Sequence, residues 1–341
     1  MSAPRRLLII GTGKRVRETA LPALASLGSA FDIRSVFARR AKEIEVGGRT
    51  LDVRAFSTLE RSHLDDVDLV YMAVTKDAVP QVLETLDGMA PRQIDLLIDT
   101  PVVRFRHFHR VRHLEAFRAA WVAEDCSRLP WFDAVRAVAD ELGELREIVF
   151  DRSAYAYHGL ATAKSLLGTT AIASCRRRPV AGGAERTVLF KDGRRARILE
   201  PRDYSVGSVT AVGQKGALTD SSAPADGALR LTPWIDGTDC RGFRAGEREV
   251  ALDPAETDLM RGDAADASVT ARMDSMKRVG FRRLLQDIEA GRGAYPVEEA
   301  LDDTVVDYHL EKAGRYFANP LTSSRSASGR FFLRTLTRLG G

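Results

Sequence analysis

A short apolar run followed at once by two glycines opens the chain and constrains its fold more than any other feature. The segment from Arg6 to Leu24 contains the apolar run Leu7–Ile10, the turn Gly11-Thr12-Gly13 and a helix-forming stretch. In a dinucleotide-binding domain the first glycine permits a tight turn, and the second lets the backbone approach a pyrophosphate. The start of the helix then supplies free N–H groups and the positive end of its dipole. The segment therefore predicts a Rossmann-type domain at the start of the chain.

Apolar strands and amphipathic helical stretches alternate after the glycine turn. The predicted strands are Leu7–Ile10, Ile33–Phe37, Val53–Phe56, Asp68–Val74 and Ile94–Ile98, and the clearest helices are Val16–Ser26 and Ala78–Leu86. Strands that alternate with helices favour a parallel, doubly wound sheet. Right-handed crossovers place the carboxyl ends of all its strands at one edge, which is where ligands bind.

The pattern changes near residue 120, and a length of 341 residues suits two domains. Alternation with a period of two residues predicts a hairpin formed by Arg186–Phe190, the turn Lys191-Asp192-Gly193 and Arg194–Leu199. Further predicted strands are Trp121–Glu124, Arg146–Arg152, Ser205–Val212, Gly216–Asp220, Leu229–Ile235 and Glu249–Leu252, and predicted helices are Pro130–Leu142, Ala161–Ile172, Met273–Ala290, Asp302–Phe317 and Phe331–Leu339. The fold class is therefore α/β. An N-terminal Rossmann domain with a doubly wound parallel sheet is expected over residues 1–120, and a C-terminal α+β domain with an open, mostly antiparallel sheet over residues 121–341.

Composition narrows the class of protein. Hydrophobic residues make up 44% and charged residues 29%, which is ordinary for a soluble globular chain. No apolar run approaches the length of a membrane span or of a signal-peptide core, so we expect a cytoplasmic protein without a membrane partner. The net charge of +4 is mild, and we interpret the basic run Arg104–Arg118 as a solvated face rather than a nucleic-acid site. Cys126, Cys175 and Cys240 lie far apart, so neither a metal site nor a disulfide framework is predicted.

Two arginines follow the second predicted strand and bear on the choice of cofactor. NAD-binding domains usually place an acidic residue at this point for the ribose hydroxyls, whereas an arginine suits the 2′-phosphate of NADP. Arg39 and Arg40 therefore favour NADP over NAD. The alternative is that they are two surface arginines with no cofactor role.

Four segments, taken in order, carry a resemblance to a known family. They are Gly11-Thr12-Gly13 with Leu21–Leu24 on the following helix, Asp68–Thr75, Asp99-Thr100-Pro101, and Tyr155–Gly168. In this order and spacing the chain resembles the Gfo/Idh/MocA oxidoreductases, the family of glucose-fructose oxidoreductase and inositol dehydrogenase. The resemblance implies a small-molecule substrate, a homo-oligomer (dimer or tetramer) assembled through the C-terminal sheet, and a position for Lys76 beside the dinucleotide. The expected cofactor-binding residues are Gly11, Thr12, Gly13, Lys14, Arg15, Arg39, Arg40, Val74, Thr75, Asp99, Thr100 and Pro101.

The chain departs from the family pattern at two positions that matter for proton transfer. The family lysine that follows the fifth strand is replaced by Thr100, and the family aspartate that precedes the histidine is replaced by Ala154. The expected catalytic residues are His158, Lys164, Tyr155 and Thr100, where Lys164 either projects toward the pocket or points to solvent. The expected substrate contacts are Arg128, Tyr157 and Trp131.

These residues predict an NADP-dependent oxidoreductase. Hydride would move to or from a small-molecule carbonyl, imine or secondary alcohol, in a biosynthetic pathway. One alternative is a non-redox protein on the same fold, with a structural cofactor or with elimination or cyclisation chemistry. Another is a regulatory module that senses NADP(H).

Overall fold

The structure, a computed structural model, describes residues 3–46, 49–264 and 266–318. They form two compact units, the first within Met1–Glu124 and Phe281–Val305, the second within Asp125–Gly280 and Val306–Ala318. The chain thus returns to the first unit after building most of the second, whereas the sequence-based division keeps everything after residue 120 in one domain. The predicted helix Phe331–Leu339 lies outside the described residues.

The strands have the following bounds. They are β1 (Arg5–Ile10), β2 (Phe31–Ala38), β3 (Lys42–Val46), β4 (Arg49–Ala55), β5 (Leu69–Met72), β6 (Asp95–Ile98), β7 (Ala119–Val122), β8 (Leu145–Asp151), β9 (Ile172–Val180), β10 (Gly183–Phe190), β11 (Arg195–Glu200), β12 (Ser208–Gly213), β13 (Ala217–Thr219), β14 (Leu229–Asp236), β15 (Asp239–Ala245), β16 (Arg248–Ala251), β17 (Tyr295–Pro296) and β18 (Arg315–Phe317).

The helices have the following bounds. They are α1 (Leu21–Ala25), α2 (Val79–Gly88), α3 (Trp131–Ala137), α4 (Ala139–Leu142), α5 (Ala156–Leu167), α6 (Pro254–Leu259), α7 (Met273–Glu289) and α8 (Val297–Ala313). A π-helical turn over Val16–Ala20 precedes α1, and the 3₁₀ segments are Gly28–Ala30, Phe56–Thr58, Arg61–Leu64, Phe105–Ala116, Asp125–Arg128 and Thr270–Arg272. Among the described helices, none has both the length and the apolar character that crossing a membrane requires.

The sheet of the first unit runs in the order β17-β7-β6-β5-β1-β2-β4-β3. The six strands from β7 to β4 in that order are parallel to their neighbours, and β17 and β3 are antiparallel edge strands. All four residues of β5 and of β6 are buried, as expected for strands covered on both faces. The strand order reverses between β1 and β5, so that their carboxyl ends border the crevice where such sheets bind ligands. The predicted doubly wound fold is confirmed.

The sheet of the second unit runs in the order β16-β15-β14-β13-β12-β8-β11-β10-β9-β18. Only the pairs β8–β11 and β13–β14 of this sheet are parallel, so the predicted open, mostly antiparallel sheet is confirmed. The predicted hairpin is formed by β10 and β11. Helix α5 packs against β8 and β11, and α3 packs against β15 and β16.

Several predicted element boundaries were wrong. The predicted helix Ala161–Ile172 is α5, which ends at Leu167 because Gly168 takes a left-handed conformation (φ 65°), and Ile172 begins β9. The predicted helix Asp302–Phe317 is α8, which ends at Ala313 before the short strand β18. Strands β3, β9, β15, β17 and β18 were not predicted. The stretch Arg176–Arg178 gives β9 no apolar alternation, so its pairing with β10 and β18 is what makes it a strand.

Candidate functional site

Three chain segments meet at the carboxyl edge of the first unit's sheet. The N–H group of Gly11 donates to the Phe37 carbonyl oxygen at 2.7 Å. The N–H groups of Ala73 and Asp99 donate to the carbonyl oxygens of Ile10 (2.8 Å) and Met72 (2.9 Å). These bonds extend the strand pairing past β1, β5 and β6, so the glycine turn lies beside the two following loops.

The two glycines of the turn have different physical roles. Gly11 has φ 117°, and a β-carbon on it would lie 2.0 Å from the carbonyl oxygen of Ala73, so this position accepts only glycine. A β-carbon on Gly13 would meet no atom within 4 Å. Gly13 is also exposed, so open space lies against the backbone where a dinucleotide phosphate approaches in such folds. The turn therefore fits a dinucleotide, with Gly11 shaping it and Gly13 leaving room.

Arg15 ties the start of the first helix to the neighbouring loops. Its Nε lies 3.2 Å from Oδ1 of Asp99, and its guanidinium donates to the Ala123 carbonyl at 3.1 Å. Lys14, in contrast, has a 74% exposed side chain that lies 3.5 Å from Glu18 one turn later. Of these two predicted cofactor contacts, Arg15 holds the edge together and Lys14 projects outward.

Lys76 places a half-buried ammonium group at the same edge. It follows β5, and its Nζ donates to the backbone carbonyl of Asp99 at 3.2 Å. Burial lowers the pKa of Lys76 from 10.5 to about 8, with Arg15 also lowering it and the carboxylates of Asp99 and Glu124 opposing the shift. A pKa near neutrality suits a group that both gives and takes a proton.

The other predicted cofactor residues lie at the ends of the same strands. Arg39 and Arg40 directly follow β2, are exposed, and form no ion pair with any residue that the structure describes. Val74 is half-buried and Thr75 is exposed in the loop after β5. Thr12, Thr100 and Pro101 are half-buried, and the Thr100–Pro101 peptide is cis. All of these residues stay predicted cofactor contacts.

A cavity in the second unit lies against the start of α5. Its walls are mostly apolar, with Trp131, Phe150, Met273 and Met276 among them. The polar lining includes Cys126, His158 and Tyr204. Its free volume is about 10 Å³, room for roughly one water molecule, so the cavity is smaller than a usual small-molecule site.

The predicted catalytic and substrate residues occupy different surroundings in this unit. His158 is half-buried at the cavity, with its ring centroid 4.2 Å from that of Tyr157. Tyr155, at the start of α5, is 46% exposed. Lys164 is 2% exposed, so the alternative in which it points to solvent was wrong. The structure places Trp131 in the cavity wall, 2% exposed, and Arg128 half-buried in the turn Asp125–Arg128.

Comparison with protein-family models finds no match, and comparison with curated proteins finds none either. Solved structures do match. A putative myo-inositol dehydrogenase from Sinorhizobium meliloti shares 15% identity, with a TM-score of 0.59 over 92% of this chain and 100% of that one. The chain has the Gfo/Idh/MocA fold.

Two further structures that match this chain were solved with a nicotinamide cofactor. GenD2 from gentamicin A biosynthesis, in complex with NAD, is 16% identical, with a TM-score of 0.56 over 94% of this chain and 97% of that one. Levoglucosan dehydrogenase, in complex with NADH and L-sorbose, is 13% identical, with a TM-score of 0.58 over 93% and 100%. At these identities the likeness establishes the fold alone, and the chemistry of the site has to be inferred from this chain's own residues.

The position expected to carry the family aspartate holds a small, buried side chain at the cavity wall. Ala154 is 6% exposed and lines the cavity. A β-carbon on Gly159 would lie 3.1 Å from the Ala154 β-carbon and 2.8 Å from Ile198, so the start of α5 packs tightly here. The compact Ala154 is part of that packing.

The structure brings forward residues whose chemistry the sequence did not predict. Lys76 was expected beside the dinucleotide, but nothing in the sequence indicated that its side chain is half-buried there. The Cys126 sulfur lies within 4.8 Å of a ring nitrogen of His158, although the two residues are far apart in sequence. Tyr204, Lys277 and Arg202 form a cluster described below. No spacing or periodicity links these side chains, because strand pairing and helix packing bring them together.

Proposed function

We propose that the protein is an NADP-dependent oxidoreductase that acts on a small-molecule carbonyl, imine or secondary alcohol. The observation that carries the proposal is the position of Lys76, whose ammonium group lies beside Asp99 at the sheet edge that also carries Gly11 and Gly13. One edge thus combines a turn that fits a dinucleotide with a group whose pKa is about 8.

In the proposal, some residues of the first unit bind the dinucleotide and another transfers the proton. Gly11 and Gly13 shape the phosphate cradle, and the helix start supplies N–H groups to a phosphate. When bound, the nicotinamide would supply or take up a hydride. The chain has to give or take the accompanying proton, which Thr100 cannot do near neutral pH because its hydroxyl is too weak an acid and base. Lys76, which bonds to the residue before Thr100, carries this proton in the proposal.

The choice of NADP is supported by Arg39 and Arg40. Both are exposed directly after β2, where the adenine ribose binds in such sheets. A guanidinium that has no carboxylate partner is available for a 2′-phosphate. The solved structures with NAD or NADH support a nicotinamide cofactor of either kind, so the preference for NADP rests on these two arginines.

The test is an absorbance assay at 340 nm with NADPH and a panel of ketones, sugars and imines, and with NADP and secondary alcohols in the reverse direction. We expect substrate-dependent turnover in the wild type and a loss of at least about 100-fold in Lys76→Met, in line with the removal of a general acid–base group. The matched control is Lys42→Met, because Lys42 is an exposed lysine on the edge strand β3. It should retain wild-type turnover.

Two outcomes would overturn the proposal. If Lys76→Met turned over substrate as fast as the wild type, Lys76 would not be the group that transfers the proton. If no compound of the panel were turned over although NADPH binds, the result would favour a non-redox protein. In that case elimination or cyclisation chemistry, or sensing of NADP(H), would be tested next, and a gain of turnover in Thr100→Lys would support that alternative.

A further inference from the structure

Two cationic side chains of the second unit converge on one tyrosine. The Arg202 guanidinium lies 3.7 Å from the ring centroid of Tyr155 and 4.7 Å from that of Tyr204. Lys277 reaches Tyr204 from α7, with its Nζ 3.2 Å from the phenol oxygen. Arg202 also donates to that oxygen, at 3.4 Å. One phenol oxygen therefore accepts from two positively charged groups.

These two cations have no carboxylate partner, in contrast to other arginines of the same unit. Arg197 and Arg178 both pair with Glu185, and Arg186 pairs with Asp307 and Glu200. Within the part of the chain that the structure describes, neither Arg202 nor Lys277 has a carboxylate oxygen within 4.0 Å. Two like charges held on one oxygen repel each other, and a bound anion would offset that repulsion.

The surroundings of Lys277 keep it charged. Burial lowers the pKa of Lys277, but the nearby Cys126, Tyr204 and Asp125 outweigh burial, and the net shift is upward. Asp125 is buried, and its negative charge raises the pKa of Lys277 from beyond the 4.0 Å of an ion pair. Lys277 therefore presents a full positive charge at any pH near neutrality.

N–H groups of Arg202 and of the first turn of α5 lie beside the cluster formed by Arg202, Lys277 and Tyr204. The Arg202 guanidinium lies close to two aromatic rings, and its planar fork carries five N–H donors, the kind of group that binds a carboxylate or phosphate. Tyr155 is the residue before α5, a helix of 12 residues, and its side chain makes no capping bond to the first turn. The backbone N–H groups and the positive dipole end of α5 add to the favourable field for an anion.

The cluster adjoins the cavity described above. Tyr204 belongs to both, since its ring lies against the two cations and also lines the cavity with His158. The remaining wall is largely apolar. The cavity has room for about one water molecule, so a ligand bound at the cluster would lie beside it and not inside it.

We propose that Arg202, Lys277 and Tyr204 form an anion-binding subsite for the carboxylate or phosphate group of a small molecule. That this ligand is the substrate rests on the proposed oxidoreductase function, but its binding does not. The subsite narrows the substrate class from any carbonyl, imine or alcohol to one that also carries an acidic group.

The test is titration calorimetry of the full chain, without dinucleotide, with benzoate, phenyl phosphate and the neutral benzamide. We expect the wild type to bind at least one anion at least about 10-fold more tightly than benzamide, as a charge-assisted bond to a cation implies. Comparison of benzoate with phenyl phosphate identifies the preferred oxyanion. We expect Lys277→Met and Arg202→Gln each to lose that preference, and Lys277→Arg to keep most of it.

The controls are Lys191→Met and Arg176→Gln, two exposed cations of the same unit away from the cluster, which should bind like the wild type. Thermal unfolding shows whether each variant is folded, and Lys277→Arg covers the case in which Lys277→Met is not. Equal binding of anions and benzamide by the wild type, or anion preference retained in both folded variants, would overturn the proposal. Because the titration needs no NADPH, anion binding without turnover would count against the oxidoreductase function alone.

Discussion

The ammonium group of Lys76 donates to the backbone carbonyl of Asp99, with 3.2 Å between the two atoms. The residues are 23 positions apart and meet because β5 and β6 are neighbouring parallel strands. The bond brings an ammonium group beside Thr100, the position at which the family resemblance implies a lysine. Its burial has a consequence for stability that can be measured without any substrate.

Replacing Lys76 by methionine should change how stability depends on pH. The folded-state pKa of Lys76 is lowered from 10.5 to about 8, so the unfolded chain binds this proton more tightly. The cost of the buried charge is therefore full below pH 8 and is lost as the pH rises from 8 to 10.5. We expect Lys76→Met to be more stable than the wild type at pH 7, by on the order of 2 kcal/mol after allowance for partial exposure.

The measurement for Lys76 is urea unfolding at pH 7 and at pH 10, with Lys42→Met as the control. The difference between Lys76→Met and the wild type should shrink at pH 10, whereas Lys42→Met should follow the wild type at both values. A stability difference for Lys76→Met that does not change with pH would contradict the lowered pKa.

The two glycines of the first turn should respond differently to alanine. Gly11→Ala forces a β-carbon to 2.0 Å from the Ala73 oxygen at a positive φ, and we expect a loss of about 3 kcal/mol or more. Gly13→Ala meets no neighbouring atom, so stability should change by less than about 1 kcal/mol. If Gly13 makes room for a phosphate, Gly13→Ala still weakens NADPH binding, as measured by fluorescence titration. Unchanged affinity in Gly13→Ala would contradict that role.

Removing the two arginines after β2 should separate NADPH from NADH. Arg39→Ala combined with Arg40→Ala removes the proposed 2′-phosphate contacts, and we expect the Kd for NADPH to rise at least about 10-fold. The Kd for NADH, which lacks that phosphate, should change by less than about 2-fold. Equal dissociation constants for the two cofactors in the wild type would rule out the preference for NADP.

An exposed apolar row on the second unit's sheet predicts self-association. Leu189 (39% exposed) and Phe317 (64% exposed) both pair with Ser174, from β10 and β18 on either side of β9. Residues in register across neighbouring strands lie on one face of a sheet. This face is therefore suited to the homo-oligomer contact that the family resemblance implies.

Light scattering should give the wild type a mass that is a multiple of 37.5 kDa, as a dimer or tetramer. The double variant Leu189→Arg with Phe317→Arg should return to 37.5 kDa, because the added charges would have to be buried in the contact. Val206→Arg, at an equally exposed apolar side chain in a loop, is the control and should leave the mass unchanged. A monomeric wild type at micromolar concentration would contradict the prediction.

Local sequence was sufficient to predict the elements that an unbroken apolar run or a glycine turn marks. The apolar run before Gly11 predicts a buried strand, and the two glycines predict a turn that a dinucleotide fits. The strand β9 was missed because its arginines carry no alternation, and the end of α5 was misplaced because Gly168 was not recognised as its stop. Pairing partners decide such segments, and those partners lie far away in sequence.

By itself, the sequence determined the fold class and the place of the glycine turn, because apolar periodicity and glycine conformation act over a few neighbouring residues. The tertiary structure decided which side chains surround each charge. The pKa of Lys76 is lowered because the folded chain withdraws its ammonium group from solvent, and Arg202 and Lys277 share Tyr204 because α7 packs near the loop after β11. The energy of a charge depends on burial and on neighbours within a few ångströms, and only the folded chain sets both.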